Sequence, residues 1–168
     1  MIDAIVEHML VNKLLADEQH GFVPGRNCIT QLLCLEEWTD MIEKGEALDV
    51  IYTDFSKAFD SVPHQRLLAK LERSGIKGDI LQWIRSFLKG RCQCVNVDGT
   101  RSGWRDVTSG IPQGSVIGPI LFVIFINDMP QVVKQNFCKL FADDSKLYGI
   151  KRKVGENSVQ TDLSNMEQ

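Results

Sequence analysis

The chain has 168 residues, of which 43% are hydrophobic and 24% charged, with a formal net charge of −3. This length and composition indicate one soluble globular domain with a real core, and no apolar run is long enough to cross a bilayer. The five cysteines show no paired spacing and no histidines at zinc-ligand intervals, which argues against a zinc site and indicates free thiols.

Two helices and a connecting loop are predicted before residue 47. Apolar residues recur at a helical spacing over residues 2–15, and residues 19–27 form a loop marked by glycine and proline. The next helix can be capped by Asn27 or Thr30 and extends to about residue 44. Its apolar residues are expected to face inward; they are Ile29, Leu32, Leu33, Leu35 and Trp38.

An almost continuously apolar segment, residues 47–54, ends in Asp54. That pattern predicts a central, buried strand. Two helices with leucine-rich or isoleucine-rich faces are predicted next, over about residues 60–74 and 80–89. The acid at the end of the strand is therefore followed by a helical region.

A hairpin and a very apolar helix are predicted in the following part of the chain. Residues 92–97 alternate as a strand, Asp98-Gly99 is a strong hairpin signal, and the return strand reaches residue 107. A polar loop over residues 108–115 leads into a helix over about 117–128. That helix is apolar on so many sides that it should be buried behind a sheet.

Charge is unevenly distributed along the sequence. Residues 1–60 carry 4 basic against 12 acidic side chains, whereas residues 61–105 carry 9 basic against 3 acidic ones. A basic block of this kind can hold a phosphate backbone while nearby acids hold metal. A set of solvated helix faces explains the same charges, so both interpretations stay open at this point.

Two adjacent carboxylates, Asp143 and Asp144, lie between two apolar half-strands within residues 137–150. Small and Asx residues predict that residues 142–145 form the tight turn of a hairpin. Two acids at such a tip repel each other, and a divalent cation offsets that repulsion; a plain solvated turn is the alternative. If the strand that ends at Asp54 lies beside this hairpin, the three acids form a site for two Mg²⁺ ions.

The last residues, 151–168, are polar and are expected to be poorly ordered. Helices and antiparallel strands in this mixture predict an α+β fold, an antiparallel sheet with helices packed on one face.

Four blocks of sequence, taken in order, resemble the motifs of one known family. They are Gln19-His-Gly-Phe-Val-Pro-Gly-Arg26, Tyr52-Thr-Asp-Phe-Ser-Lys-Ala-Phe-Asp-Ser-Val-Pro-His64, Ser109-Gly-Ile-Pro-Gln-Gly-Ser-Val-Ile-Gly-Pro-Ile-Leu-Phe122 with Ile126-Asn-Asp128, and Phe141-Ala-Asp-Asp144. Over about residues 19–150, their order and spacing resemble reverse transcriptases, most closely those of non-LTR (LINE-type) retrotransposons. The resemblance implies partial fingers over residues 1–46, a polymerase palm over 47–150 and a polar tail over 151–168.

The resemblance also implies roles for the acids. Asp54 and Asp143 match the metal-binding aspartates of the family, Asp144 is the neighbouring ligand, and the main-chain carbonyl of Phe55 is expected on the nucleotide-side metal. The implied cofactor is a pair of Mg²⁺ ions, which Mn²⁺ could replace. Two such ions would stabilise the attacking 3′-oxygen and the leaving pyrophosphate.

Four further residues match the substrate-binding positions of the family. Phe59 matches the bulky residue that blocks a ribose 2′-hydroxyl, and Gln113 matches the residue near the incoming nucleotide and the template base. Its neighbour Gly114 would let the main chain approach the nucleotide closely. Arg26 matches a template or triphosphate contact. The residues alone allow other interpretations: a core phenylalanine that opens a helix, a plain loop, and a solvated arginine.

The implied function is that of an RNA-directed DNA polymerase, which adds deoxynucleoside triphosphates to a primer 3′ end. Its partners would be an RNA template and a DNA primer, together with the fingers and thumb segments that the family has and this chain lacks, or a protein in their place. No membrane is implied, and the expected location is intracellular, in the nucleus or the cytoplasm. The alternative is a truncated, non-catalytic remnant that keeps the palm fold and at most binds nucleic acid or a protein partner.

Overall fold

The computed structural model describes residues 2–151 and 158–166, and these form two compact units. The first unit comprises residues 2–14 and 57–125, and the second comprises residues 15–56 and those from 126 onward. The helices are α1 (Ile2–Val11), α2 (Cys28–Leu32), α3 (Cys34–Glu43), α4 (His64–Arg73), α5 (Gly78–Leu88), α6 (Gly118–Ile126), α7 (Ser158–Met166) and a 3₁₀ helix (Met129–Val132). The strands are β1 (Leu48–Asp54), β2 (Cys92–Gln93), β3 (Asn96–Val97), β4 (Thr100–Arg101), β5 (Arg105–Asp106), β6 (Phe137–Phe141) and β7 (Asp144–Ile150).

The core of the first unit is built from helices whose apolar residues recur every three or four positions. The inward-facing residues of α4 and α5 are buried, and they are Leu67, Leu68, Leu71, Leu81, Ile84 and Leu88. Helix α6 is apolar on all sides and almost wholly buried, which confirms the prediction from its sequence. At nine residues α6 is far too short for a bilayer, and none of the other helices in the described part of the chain could span one.

The first unit also contains the predicted Asp98-Gly99 hairpin. The two turn residues have φ values of 49° and 83°, and they join β3 to β4 in antiparallel pairing. Positive φ at both central residues is the conformation of a type I′ turn, which Asp-Gly favours. The predicted strand 92–97 is divided, because β2 pairs with β5 whereas β3 pairs with β4.

The second unit contains an antiparallel sheet in the order β1-β7-β6. The mixture of helices with an antiparallel sheet confirms the predicted α+β class. The prediction that the strand before Asp54 is central and buried is wrong: β1 lies at an edge of this sheet, and none of its residues is fully buried. Strand β7 is central instead, with Leu147 and Tyr148 completely buried. A continuous apolar run shows that a strand is partly covered but does not fix its place in the sheet.

The predicted long helix over residues 27–44 is two helices, α2 and α3, with Leu33 between them. Most of the residues expected to face inward are exposed: Ile29 (72%), Leu32 (47%), Leu33 (50%) and Leu35 (46%). The face that packs on the sheet carries two buried residues that the prediction omitted, Gln31 and Cys34, and one that it included, Trp38. Trp38 meets Tyr148 edge to face, with ring centroids 5.3 Å apart.

Part of the polar tail is ordered, contrary to the prediction. Residues 158–166 form α7, in which Val159 and Asp162 are buried. The two carboxylate oxygens of Asp162 accept main-chain N–H groups of Lys134 and Gln135, each at 2.9 Å. This helix is therefore held by a buried polar contact that composition does not indicate. The rest of the predicted disorder, at residues 152–157 and 167–168, lies outside the described residues.

Candidate active site

The candidate site begins with the register of β1 against β7. Antiparallel pairing sets Asp54, the last residue of β1, directly opposite Asp144, the first residue of β7. Asp143 is the second residue of the two-residue turn that joins β6 to β7, and Asp144 follows it as the first residue of β7. Directly opposed residues of an antiparallel pair have Cα atoms about 4.5–5.5 Å apart. The structure therefore pairs the two strands that the predicted site required to be neighbours.

The carboxylates of the three acids are accessible. Asp54 and Asp144 are exposed and Asp143 is half-buried. Within the described part of the chain, none of the three carboxylates takes part in a hydrogen bond or an ion pair. Lys146 follows Asp144 by two residues, and its ammonium group lies 5.7 Å from the centre of the Tyr52 ring. The acids thus concentrate negative charge at one end of the sheet and leave their oxygens free for a ligand.

The chemistry of these acids suits the predicted metal ions. Magnesium prefers carboxylate and carbonyl oxygens, and Phe55, whose main-chain carbonyl is the fourth predicted ligand, directly follows Asp54 at the end of β1. Across residues 2–151 and 158–166, however, no three histidine, cysteine or acidic side chains form a ready-made metal cluster. The residues fit Mg²⁺ in ligand type and in backbone placement, and metal binding would require their side chains to turn toward a common point.

The turn that carries Asp143 has an unusual backbone. Ala142 is buried and has a φ of 54°, whereas Asp143 does not have a positive φ. A positive φ at the first central residue only is the pattern of a type II′ turn, where glycine is the usual residue. Alanine in this conformation is strained, and such strain persists where the surrounding structure enforces it.

The surrounding structure is supplied by the loop that precedes α2. The main-chain N–H of His20 donates to the carbonyl of Leu140 at 2.8 Å, and the N–H of Leu140 donates to the carbonyl of Glu18 at 2.8 Å. Burial, together with nearby charges of which Lys139 is the strongest, lowers the pKa of His20. A neutral imidazole at neutral pH suits this position, where Nδ1 lies 2.9 Å from the Thr30 hydroxyl. The loop thus extends the sheet along the free edge of β6.

Gln19 is a buried residue beside the candidate site that the sequence did not single out. Its side chain is fully buried, and Oε1 accepts the main-chain N–H groups of Ala142 at 2.9 Å and of Gly21 at 2.8 Å. The residue lies in one of the four recognised blocks, but no spacing or periodicity connects it to a turn 123 residues away. Only the fold shows that this amide reaches the turn beside Asp143.

Arg26, predicted to contact template or triphosphate, binds its own loop in this structure. Its Nη1 donates to the carbonyls of Ala16, Asp17 and Gln19, at 2.6, 3.1 and 2.7 Å. Its Nη2 pairs with the Asp17 carboxylate at 2.9 Å. The guanidinium therefore organises the segment that contains Gln19, and a nucleic-acid contact through Arg26 stays a prediction.

The predicted nucleotide-binding residues of the first unit share one cavity. Phe59, Gln113 and Gly114 all line a cavity of about 450 Å³. The Phe59 ring stacks on Phe122 of α6, with centroids 4.4 Å apart and planes 22° apart. Because α6 is buried, this stacking holds the Phe59 ring as a fixed wall of the cavity.

The loop on the other side of this cavity is held close to Asp60. The N–H of Gly110 donates to the carbonyl of Val62 at 2.8 Å, and Gln113 Nε2 lies 3.4 Å from an Asp60 carboxylate oxygen. Gly110 has a φ of 86°, and a Cβ at this position would lie 2.7 Å from the Asp60 carbonyl oxygen. A glycine is thus required at Gly110 for both conformation and space.

Comparison with known proteins identifies the family. All of the chain, residues 1–168, matches the family described as reverse transcriptase (RNA-dependent DNA polymerase). The chain belongs to the reverse transcriptase family. Enzymes of this family use divalent metal ions, which agrees with the type of ligand that the three acids provide.

The relatives of this reverse transcriptase domain include retrotransposon polymerases of flies. It is 35% identical over 136 residues to the RNA-directed DNA polymerase from mobile element jockey of Drosophila funebris, covering 75% of this chain and 15% of the relative. It is 30% identical over 145 residues to the probable RNA-directed DNA polymerase from transposon X-element of Drosophila melanogaster, covering 83% of this chain and 16% of the relative. These relatives confirm the predicted non-LTR type. The domain spans about one sixth of their length.

Solved structures confirm the fold. Telomerase from Candida albicans, in complex with a fragment of telomeric RNA, superimposes with a TM-score of 0.72 at 12% sequence identity. The superposition covers 98% of this chain and 32% of the telomerase chain. At this identity the likeness concerns the fold alone, and it confirms the predicted polymerase palm-type architecture.

Proposed function

We propose that this domain is the catalytic core of an RNA-directed DNA polymerase, which adds deoxynucleotides to the 3′ end of a DNA primer on an RNA template. One observation carries the proposal: Asp54 is paired directly against Asp144, with Asp143 in the adjoining turn. That arrangement occurs in a chain whose whole length matches the reverse transcriptase family.

In this proposal Asp54, Asp143, Asp144 and the carbonyl of Phe55 hold two Mg²⁺ ions, which Mn²⁺ could replace. When bound, the two ions would stabilise the charge on the attacking and leaving oxygens of an in-line displacement. The protein contributes a fixed spacing between the ligands, because paired strands set the distance from Asp54 to Asp144. Because these carboxylates have no hydrogen-bond or ion-pair partner among the described residues, they can turn toward a cation without breaking such a contact.

The cavity at Phe59 is proposed to bind the sugar and base of the incoming nucleotide. Because the Phe59 ring is stacked on buried Phe122, it cannot easily move aside for a ribose 2′-hydroxyl, and deoxynucleotides would be favoured. Gly114 has a φ of 76° and no atoms within 4 Å of a hypothetical Cβ, so a nucleotide could approach its main chain closely.

The basic block of residues 61–105 is proposed to bind the phosphate backbone of the template and primer. Its basic side chains are mostly exposed, including Arg66, Arg73, Lys77, Lys89, Arg101 and Arg105.

An activity that inserts DNA into chromosomes would act in the nucleus.

The test is extension of a DNA primer on an RNA template by the 168-residue chain, with Mg²⁺ and deoxynucleoside triphosphates. Loss of a partner that only supports a metal ligand costs about 10- to 100-fold in activity, so Asp143→Asn, which changes a proposed ligand itself, is expected to cost more. Asp49→Asn is the matched control, because Asp49 lies on the same strand as Asp54 but opposite Gly149, at the other end of the pairing. This control should extend the primer at the wild-type rate.

Two results would contradict the proposal. Equal extension by the wild-type chain and by Asp143→Asn would show that the acids are not the site of catalysis. Binding of template and primer without metal-dependent extension would favour the non-catalytic binding module. One observation favours testing the non-catalytic binding module as a second function. In the described ranges, no three histidine, cysteine or acidic side chains form a preformed metal cluster.

A further inference from the structure

We infer that Gln19 is a positioning residue for the proposed metal site: by accepting the main-chain N–H of Ala142, it fixes the direction in which Asp143 leaves the β6–β7 hairpin. The inference rests on the proposed function, because it concerns the same three acids. It gives the loop before α2 a role in holding the metal ligands as well as any role in contacting substrate.

Both hydrogen bonds of the Gln19 side chain are made by its oxygen atom, Oε1. Oε1 lies between two main-chain N–H groups, those of Ala142 at 2.9 Å and Gly21 at 2.8 Å. Nε2 is buried and has no hydrogen-bond partner in the described part of the chain. A buried amide with one unpaired end is unfavourable, so its other end must contribute enough to offset that cost. That contribution is the acceptor that Oε1 provides for the turn.

The turn needs such a contact because its own residues do not favour its shape. Ala142 has a φ of 54°, a conformation that residues other than glycine, asparagine and aspartate seldom adopt. Phe141 and Asp144 close the turn as the last paired residues of the hairpin. The Ala142 N–H belongs to the peptide plane between Phe141 and Ala142, so Gln19 holds this plane at the start of the turn, and the Ala142 dihedral angles carry its orientation on to Asp143. If that contact is lost, Asp143 can take more than one direction.

The main chain of the loop that contains Gln19 and Gly21 also lies very close to this turn. A Cβ built on Gly21 would lie 2.4 Å from the Ala142 nitrogen and 3.0 Å from the Phe141 carbonyl carbon. The loop is itself anchored, since Arg26 Nη1 donates to the Gln19 carbonyl at 2.7 Å. The contacts thus run from Arg26 through Gln19 to Ala142, and from there to the acid next in the chain. This sequence of contacts explains why the Arg26 guanidinium is turned toward its own loop.

The experiment compares glutamine variants of the 168-residue chain by Mn²⁺ binding, measured by electron paramagnetic resonance, and by amide exchange at Ala142, measured by NMR without metal. Gln19→Leu keeps the approximate size and removes the acceptor, whereas Gln19→Glu keeps an acceptor oxygen. Gln31→Leu is the matched control, because Gln31 is also a buried glutamine with an unpaired Nε2 in the described residues. Its Oε1 lies 3.4 Å from Lys146 Nζ and makes no contact with the turn.

We expect Gln19→Leu to weaken Mn²⁺ binding by about 10- to 100-fold, the range seen when a partner that orients a metal ligand is removed. The Ala142 amide should exchange faster in the same variant. Gln19→Glu should bind Mn²⁺ at least as well as the wild-type chain, and Gln31→Leu should match the wild type in both measurements. A purely structural role would lower stability in Gln19→Leu and leave the metal affinity of the folded protein unchanged.

Two outcomes separate the inference from the proposed function. If the wild-type chain binds Mn²⁺ through Asp143 and folded Gln19→Leu binds it equally well, the inference is wrong and the proposed function stands. If the wild-type chain shows no Mn²⁺ binding that Asp143→Asn removes, the proposed metal site is wrong and the inference falls with it. Should Gln19→Leu fail to fold, Gly21→Ala replaces it, because its added methyl would crowd both the Ala142 nitrogen, 2.4 Å away, and the Gln19 acceptor, 3.2 Å away. Unchanged Mn²⁺ binding in that variant overturns the inference.

Discussion

Two hairpin turns of this domain have the same length and are held in opposite ways. The Asp98-Gly99 turn joins β3 to β4, and the Ala142-Asp143 turn joins β6 to β7, each with two residues between the closing pair. At the first turn both residues have positive φ, and nothing lies within 4 Å of a Cβ built on Gly99. Its shape comes from its own residues, because Asp-Gly favours the type I′ conformation.

The second turn takes its shape from the rest of the fold. Ala142 has a positive φ without being glycine, and it is buried against Gln19 and Gly21. A turn that is stable by itself needs no outside contact, whereas this one keeps Asp143 in place only while a distant loop is present. The position of the proposed catalytic acid Asp143 therefore depends on tertiary structure, as strained residues at functional sites generally do.

The largest expected effect follows from removing the outside contact. Gln19→Leu leaves the buried N–H groups of Ala142 and Gly21 without an acceptor, and each such group costs about 1–3 kcal/mol. We expect the free energy of unfolding, measured by urea denaturation, to fall by about 2–6 kcal/mol, the sum for the two groups. Gln31→Leu serves as the control and should change it much less. A loss no larger than the control's would show that the second turn, too, is set locally.

The local turn should be sensitive to its own glycine. Gly99→Ala places a Cβ at a φ of 83°, which costs about 1–2 kcal/mol of local stability, measured by amide exchange across β3 and β4. Gly103 is the control, because it lies in open space and has no positive φ. Gly103→Ala should stay within about 0.5 kcal/mol of the wild type. Equal losses of stability at the two glycines would show that the Asp98-Gly99 turn does not take its shape from Gly99.

A smaller effect is expected at the first residue of the strained turn. Ala142→Gly relieves the positive φ, worth about 1–2 kcal/mol, but it adds chain entropy worth about 0.5–1 kcal/mol and removes a buried methyl group. Thermal unfolding should therefore show a net change below about 1 kcal/mol. Ala142→Val should instead destabilise clearly, since a β-branched residue at this φ is an outlier. A neutral Ala142→Val would mean that the turn is not confined.

The smallest effect is seen only in acid, at the contact that holds α7. Burial raises the pKa of Asp162, but N–H groups of Lys134, Gln135 and Asn136 outweigh that effect and lower it below the ordinary value of 3.8. Its stabilisation is complete above that value and is lost as the pH falls through the lowered pKa. Amide exchange of α7 should therefore accelerate in that range, while the β3–β4 hairpin stays unchanged.

The control for this prediction is Asp162→Asn, which removes the ionisable group. This variant should lose the acid dependence of α7, because an amide cannot take up the proton. The same acid dependence in Asp162→Asn would assign it to another group.

Much of the site was predictable because it consists of local features. The apolar half-strands around Asp143 predicted the hairpin, and the run before Asp54 predicted its strand. The place of that strand in the sheet was not predictable, since apolar content does not distinguish an edge from a centre. The exposed residue Ile29 shows a similar limit: helical periodicity identifies an apolar stripe, but the partner surface decides which stripe is covered.

Four features could be recognised from the amino-acid sequence: the carboxylate chemistry of the three acids, the family, the burial of α6 and the shape of the Asp98-Gly99 turn. Each of these depends on residue type or on neighbours within a few positions. Only the tertiary structure decided that Asp54 lies opposite Asp144 and that Gln19 supports Ala142. The physical reason is that a hydrogen bond between residues 123 positions apart depends on the path of the whole chain between them.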